Sequence, residues 1–160
     1  MSPDVQIHSM RISTHVHATE EVDKVKQALC TFLSVEACDL DVILKTLDTE
    51  GDAGNKISIL QATVTKKRDI DAVLSKIGAN LPDDHKRLLR DNFEKYFSAE
   101  SRTLFIRFHK QALFQDQFRL SQFDDVVHVA IKFVSYVKSK SVEEDINQVQ
   151  AELVDHGVLA

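Results

Sequence analysis

The chain is poor in the residues that staple, break or punctuate structure: two cysteines, two prolines and four glycines in 160 residues. Cys30 and Cys38 make no disulfide framework, and their offset matches no zinc-ligand pair, so both read as reduced structural thiols. No apolar run approaches the roughly 18 residues that cross a bilayer. The opening MSPDVQIHSM lacks the charged and apolar regions of a signal peptide. A cytoplasmic protein without membrane contact is the expectation. Also missing are a P-loop, a G-x-G-x-x-G turn, a nucleophile elbow and an H-E-x-x-H helix. TEGDAGN has the small residues of a phosphate loop, but it lies between two strands and opens no helix. His109, Asp48 and Glu50 are candidate acids and bases without a fixed mutual spacing. The sequence therefore supports neither an enzyme nor a cofactor.

What is present is a globular composition, 43 % hydrophobic and 28 % charged, which excludes a disordered chain. A length of 160 residues fits one domain over residues 1–160. The net charge of −5 argues weakly against nucleic acid until it is located. Residues 141–160 hold Glu143, Glu144, Asp145, Glu152 and Asp155 and no lysine or arginine, so residues 1–140 are neutral overall. Residues 101–140 carry seven cations against three aspartates, a local balance of +4. This segregation bears more on partners than the total does.

Period-two alternation over Ile7–His17 predicts a strand, with Met10, Ile12 and Val16 on one side and Arg11, Ser13, His15 and His17 on the other. A helix is expected from Thr19, carrying Val22, Val25, Leu29, Phe32 and Leu33 at helical spacing. LDVILKTL and KISILQATVTK read as a hairpin around DTEGDAGN, where Gly51 and Gly54 suit positive φ. Asp69 is the expected cap of a short helix with Ile70, Val73, Leu74 and Ile77 on its stripe, ended by Gly78 and Pro82. A longer helix is expected over about Asp83–Phe97. Leu104, Ile106 and Phe108 alternate with Phe105, Arg107 and His109 in a further strand. Lys110 would point inward unless that strand ends there, and the loss of alternation after Gln111 predicts that it does. Val127, Val129, Ile131 and Phe133 form the inward side of a last strand, with His128 and Lys132 outward. Ser141 and Glu144 make a capping box for an acidic helix over about 141–157. The order β-α-β-β-α-α-β-β-α predicts an α+β fold, a largely antiparallel sheet with helices on one face.

If the first and the two late strands share a sheet, its open side carries Arg11, His15, His17, Arg107, His109, His128 and Lys132. Such a face suits phosphates and stacked bases, although any sheet with one wet side is polar there. Lys66, Lys67 and Arg68 stand where a strand gives way to a helix, either as a phosphate cradle or as solvated edge charge. His15 and His17 leave one strand on one side, a spacing metal sites use, and His109 is a third candidate. No cysteine or carboxylate accompanies them at a fixed offset, so surface histidines without metal is the preferred reading. Phe105, Phe114, Phe118 and Phe123 exceed what one strand face buries, which opens a second reading with some of them in a protein-interaction or homodimer surface, beside the plainer one that they cap the end of a single core.

Three ordered stretches carry a family resemblance: SMRISTHVHATEEVDKVKQAL, EGDAGNKISILQATV and LFIRFHKQALFQDQFRL, followed by VHVAIKFVSY. The chain resembles small archaeal proteins identified as an RNA-binding domain and candidate exosome subunit. Their fold is similar to that of the large-subunit ribosomal protein that binds 5S RNA. The resemblance implies non-catalytic RNA binding, with RNA-processing proteins or ribosome-related machinery as further partners. It carries over Arg107, Lys110, Gln111 and Arg119, with Gly51, Gly54 and Asn55 as a shaped turn. The family pattern has aspartate where this chain has His109.

Overall fold

The computed structural model describes residues 5–16, 21, 23–25, 27, 45–50, 56–122, 125–135 and 141–159. Strands β1 (Val5–Val16), β2 (Lys45–Glu50), β3 (Lys56–Val64), β4 (Phe97–Ser98), β5 (Thr103–His109) and β6 (Val126–Ser135) form one sheet in the order β2-β3-β1-β6-β5-β4. Every ladder in it is antiparallel. The helices are α1 (Lys67–Asn80), α2 (Asp83–Asp91), α3 (Phe93–Tyr96), α4 (Lys110–Leu113) and α5 (Val142–Asp155). The α+β class and the segregation of helices to one side match the reading of the sequence.

Alternation decides which side is dry. Met10 and Ile12 on β1, Leu104, Ile106 and Phe108 on β5, and Val127, Val129 and Ile131 on β6 are fully buried. Against them pack Val73, Leu74 and Ile77 of α1, Leu89 of α2, and Val149 and Leu153 of α5. Each such side chain contributes on the order of 1.5–3 kcal/mol by leaving water. Thr14 shares this dry side and satisfies its hydroxyl by donating to the Val126 carbonyl, 2.9 Å away. Strand β1 carries a register shift between Ile7 and Ser9, so the alternation is read separately on each side of it.

Several boundaries differ from the sequence expectation. Asp48–Glu50 continue strand β2 instead of turning, because they pair with Ser58, Ile57 and Lys56. Helix α1 begins at Lys67, so Asp69 lies in its first turn, where a carboxylate suits the helix dipole, and is not its cap. The expected Asp83–Phe97 helix is two helices. Asn92 leaves helical geometry (φ −116°, ψ 28°) at the C-cap, where the Leu88 carbonyl accepts from both its backbone amide and its side chain. The break turns Phe97 into β4, where its ring stacks on Phe93 at 5.3 Å and meets Phe133 edge-on. Val25 is buried and residues 23–25 and 27 are helical, while Val22, Leu29, Phe32 and Leu33, with Cys30 and Cys38, lie outside the described residues.

Helix α5 starts and stops as its sequence asks. The Ser141 hydroxyl accepts from the Glu144 amide at 3.2 Å. At the other end Gly157 takes φ +79°, the Gly157 amide bonds Val154, and the Val158 amide bonds Leu153. That pair of bonds is a Schellman ending, with Leu153 and Val158 both buried beneath it. Gly78 does not end α1; it is the point where α1 touches this turn. A Cβ there would lie 2.8 Å from the His156 carbonyl oxygen and 2.9 Å from the Gly157 carbonyl carbon. His156 adds a side-chain tie, with Nε2 3.1 Å from Asp71 Oδ1 on α1.

Gly78→Ala tests this contact. Helix propensity alone gives alanine about 1 kcal/mol over glycine. The backbone clash outweighs it, so the variant should be destabilised by a net 1–3 kcal/mol, roughly the cost of overpacking. Urea denaturation reads the difference, and an unchanged or raised stability would remove the close approach.

Candidate functional site

The side of the sheet that no described helix covers is built by the β1–β6–β5 registers. One row across it runs Gln61, Ser13, His128, Arg107, and the next runs Thr63, Arg11, Ala130, Phe105. Ser9, Lys132 and Thr103 make a third row. Arg11, Arg107 and Lys132, nominated from three separate strands, are therefore brought onto one surface, and all are exposed. Arg119 joins them through a feature invisible in the alternation. Leu120 bridges Phe108, the His109 amide donates to the Arg119 carbonyl at 2.7 Å, and the Ser121 amide donates to the Arg107 carbonyl. Residues 119–121 thus extend the sheet beside β5 and set Arg119 in register with His109.

Among the described residues none of Arg11, Arg107, Arg119 and Lys132 is held in an ion pair. No aspartate or glutamate occupies an outward register position on β1, β3, β5 or β6. A depression of about 180 Å³ lies on this face, lined by Ser9, Arg11, Gln61, Thr63, Thr103, Ala130 and Lys132. His128 sits among the cations and has its pKa lowered, by burial first and then by the charges of Arg107 and His15. The unfolded chain takes up that proton first as pH falls below 6.5, so His128 subtracts stability in acid. In neutral solution its ring is an uncharged hydrogen-bonding group between fixed cations.

Lys110 is a correction. The strand does end at His109, yet Lys110 does not present its charge: the residue is 1 % exposed. Its Nζ donates to the His15 carbonyl at 2.8 Å and lies 2.9 Å from Asp125 Oδ1. The Lys110 amide bonds the Asp125 carbonyl, and Gln111 Nε2 donates to Asp125 Oδ2 at 3.0 Å. A desolvated ammonium must be paired, so this lysine ties the end of β5 to β1 and to the start of β6. Gln111 remains at the surface, with its amide engaged in the same knot.

His109 is bound to a local task as well. Its Nδ1 accepts from the Ala112 amide at 3.1 Å, capping the short helix α4. Aspartate, which the resemblance implies at this position, is among the strongest N-cap residues. The exchange therefore keeps the cap while removing a negative charge from the face. Phe118 follows the plainer reading: it is buried, edge-on to Phe108 at 5.8 Å, and belongs to the core. Phe114 and Phe105 are exposed, and Phe123 lies outside the described residues.

Lys66, Lys67 and Arg68 are exposed at the start of α1, on the helical side, and do not join the open face. Lys67 instead borders a depression of about 210 Å³ with Gln6, Ile70, Asp71 and Glu152. Gly51, Gly54, Asn55 and His17 lie outside the described residues. Among the described residues no group of three or more His, Cys, Asp or Glu side chains is placed to hold a metal ion. No described helix is long and apolar enough to cross a membrane.

Comparison with known proteins gives consistent matches over this whole region. A family model described as RNA binding matches residues 9–133. A Pyrococcus abyssi protein named as an RNA-binding protein is 33 % identical over 88 % of this chain and 90 % of its own. A Methanocaldococcus jannaschii protein named only as uncharacterized is 26 % identical over 91 % of this chain and 96 % of its own. The fold is similar to a crystal structure from Archaeoglobus fulgidus, with TM-score 0.78 and 25 % identity over 92 % of this chain and 99 % of the other.

Lys110→Ala separates support of the fold from contact with a ligand. It removes a buried stem and leaves Asp125 without its cation, so stability should drop by about 2–4 kcal/mol in urea denaturation. A loss below about 0.5 kcal/mol, the level of ordinary surface changes, would show that the ion pair is not a structural tie.

Proposed function

The chain belongs to this RNA-binding family, and from that premise we propose that it binds RNA without catalysis, through the open face of its sheet. The observation that carries the reading is the meeting of Arg11, Arg107, Arg119 and Lys132 on one rigid surface with no carboxylate at its register positions. Cations held at fixed spacing release the counterions of a phosphodiester chain on binding, which favours association at low salt. Arginine adds directed donors that fit phosphate oxygens. Lys110 stabilises the face from beneath and contacts no phosphate. Gln111, Lys66, Lys67 and Arg68 lie off this surface and are secondary contacts at most, for RNA long enough to reach the sheet's ends.

The resemblance to exosome-associated and 5S-RNA-binding proteins suggests the setting, RNA-processing or ribosome-related machinery in the cytoplasm. A homodimer through the open face is disfavoured on charge. Two copies facing each other would set arginines against arginines, and like charges in contact cost several kcal/mol.

Two measurements test the reading. Fluorescence anisotropy with a structured RNA across salt concentrations should show affinity falling steeply, and Arg107→Ala with Lys132→Ala should flatten the log–log slope by about 1.4–1.8. Absence of binding by the folded protein at low salt would overturn the proposal. The second test is pH. A bound phosphate opposes the influences that lower the His128 pKa, so binding is coupled to proton uptake there. Affinity should rise as pH is lowered from about 7.5 to 5.5, and His128→Gln should remove most of that rise. A pH profile identical in both proteins would take His128 out of the interface.

A further inference from the structure

Phe105 stands on β5 within the cationic face, with 47 % of its surface exposed. The other large apolar residues left open among those described, Leu88, Phe114 and Val154, lie on helices or in a turn, away from this sheet face. Directly across the ladder from Phe105 is Ala130, and Arg11 is opposite Ala130 on the far side. A methyl group covers little, so the ring has no wall toward the centre of the sheet. Two residues along β5, about 6.8 Å away, comes Arg107. Lys132 is diagonal to Phe105, since it pairs with Thr103. Arg11, Ala130 and Lys132 share the lining of the depression on this face.

We propose that Phe105 is a stacking platform for an unpaired nucleobase, with Arg11, Arg107 and Lys132 holding the phosphates on either side of it. The inference rests on the RNA-binding reading and adds the class of RNA: single-stranded segments, not duplex. An aromatic ring gains from a nucleobase only when the flat side of that base is free. In a duplex both sides are occupied by neighbouring bases, and the surface offers edges, sugars and phosphates. Single strands present bases and backbone together, and an aromatic flanked by cations answers both at once. The distances suit one nucleotide, because a strand places alternate side chains about as far apart as a base and its own phosphate. A solvated face needs no phenylalanine at this position. A threonine or lysine would fill it without leaving apolar surface in water.

The test uses one strand in two states, a short oligouridylate alone and the same strand paired with oligoadenylate. Phe105→Ala should weaken binding of the single strand by about 5- to 100-fold. It should leave the duplex within about twofold and the salt slope for the single strand unchanged. Phe105→Leu, apolar but without a π face, should behave like the alanine variant. Phe105→Trp should restore affinity. The chain has no tryptophan, so this variant carries a single reporter. Its fluorescence should be quenched by oligouridylate and not by the duplex. Equal losses on both RNAs, or wild-type affinity in the leucine variant, would overturn stacking. So would an unaffected alanine variant alongside a weakened Arg107→Ala, with RNA binding itself left standing. Failure of the wild-type protein to bind either RNA at low salt overturns the RNA reading and this inference with it.

Discussion

The β1–β6 ladder joins two three-stranded halves, β2-β3-β1 and β6-β5-β4, into one sheet. Its register sets Met10 against Ile131, Ile12 against Val129 and Thr14 against Val127 on the dry side. The same register sets Arg11 against Ala130 and Ser13 against His128 on the wet side. A slip of one residue would exchange these sets, burying Arg11 and exposing Ile12. The apolar core therefore enforces the arrangement of the cations. The helices α1, α2 and α5 stabilise one pattern of alternation, and the pattern they leave uncovered is the open face.

Most of that face was legible from alternation. Arg11 and Lys132 lie 121 positions apart in the chain, yet each was assigned a side by its own strand, and the ladders then brought the sides together. What alternation does not carry is any residue outside a regular strand. Arg119 reaches the surface because residues 119–121 pair with the edge of β5, and nothing in QDQFRL marks that pairing. Lys110 is the opposite case. One residue past the end of β5, its long stem turns back under the sheet to Asp125, fifteen residues on, and to a backbone carbonyl of β1. A lysine beside two cationic positions reads as surface charge until its partner is known. Gly78 is similar: its role depends on the turn at His156–Gly157, and locally it looked like a helix terminator.

The stretch 105–120 shows how sequence composition and surface composition diverge. It has four phenylalanines and four basic residues including His109, a mixture that suggests one blended surface. The fold sorts it into layers instead. Phe108 and Phe118 meet edge-on in the core, Lys110 is internal, and His109 is occupied at a helix cap. Phe105, Arg107 and Arg119 are left on the open side. Stripping away the structural members leaves an aromatic beside two arginines, a smaller and more specific pattern than the composition suggests. The residue at 109 fits this sorting, since histidine caps α4 as aspartate would, without adding an acid beside strands that carry none at their outward register positions.

Net charge is a poor guide to what such a face attracts. The chain carries −5, and the five acidic side chains of the C-terminal segment account for all of it. Those residues are on α5 or its end, whose Val149 and Leu153 are packed into the core from the helical side. The sheet and core layers stand between them and Arg11, Arg107 and Lys132. Asp145, the most buried of the five, is further neutralised by Arg102 Nε at 2.9 Å. At physiological ionic strength the field of an exposed charge decays over about 8 Å. A polyanion approaching the open sheet meets the local cations before it senses the distant acids. What the open sheet attracts is therefore set by its local cations and not by the total of a chain whose overall charge would repel a polyanion.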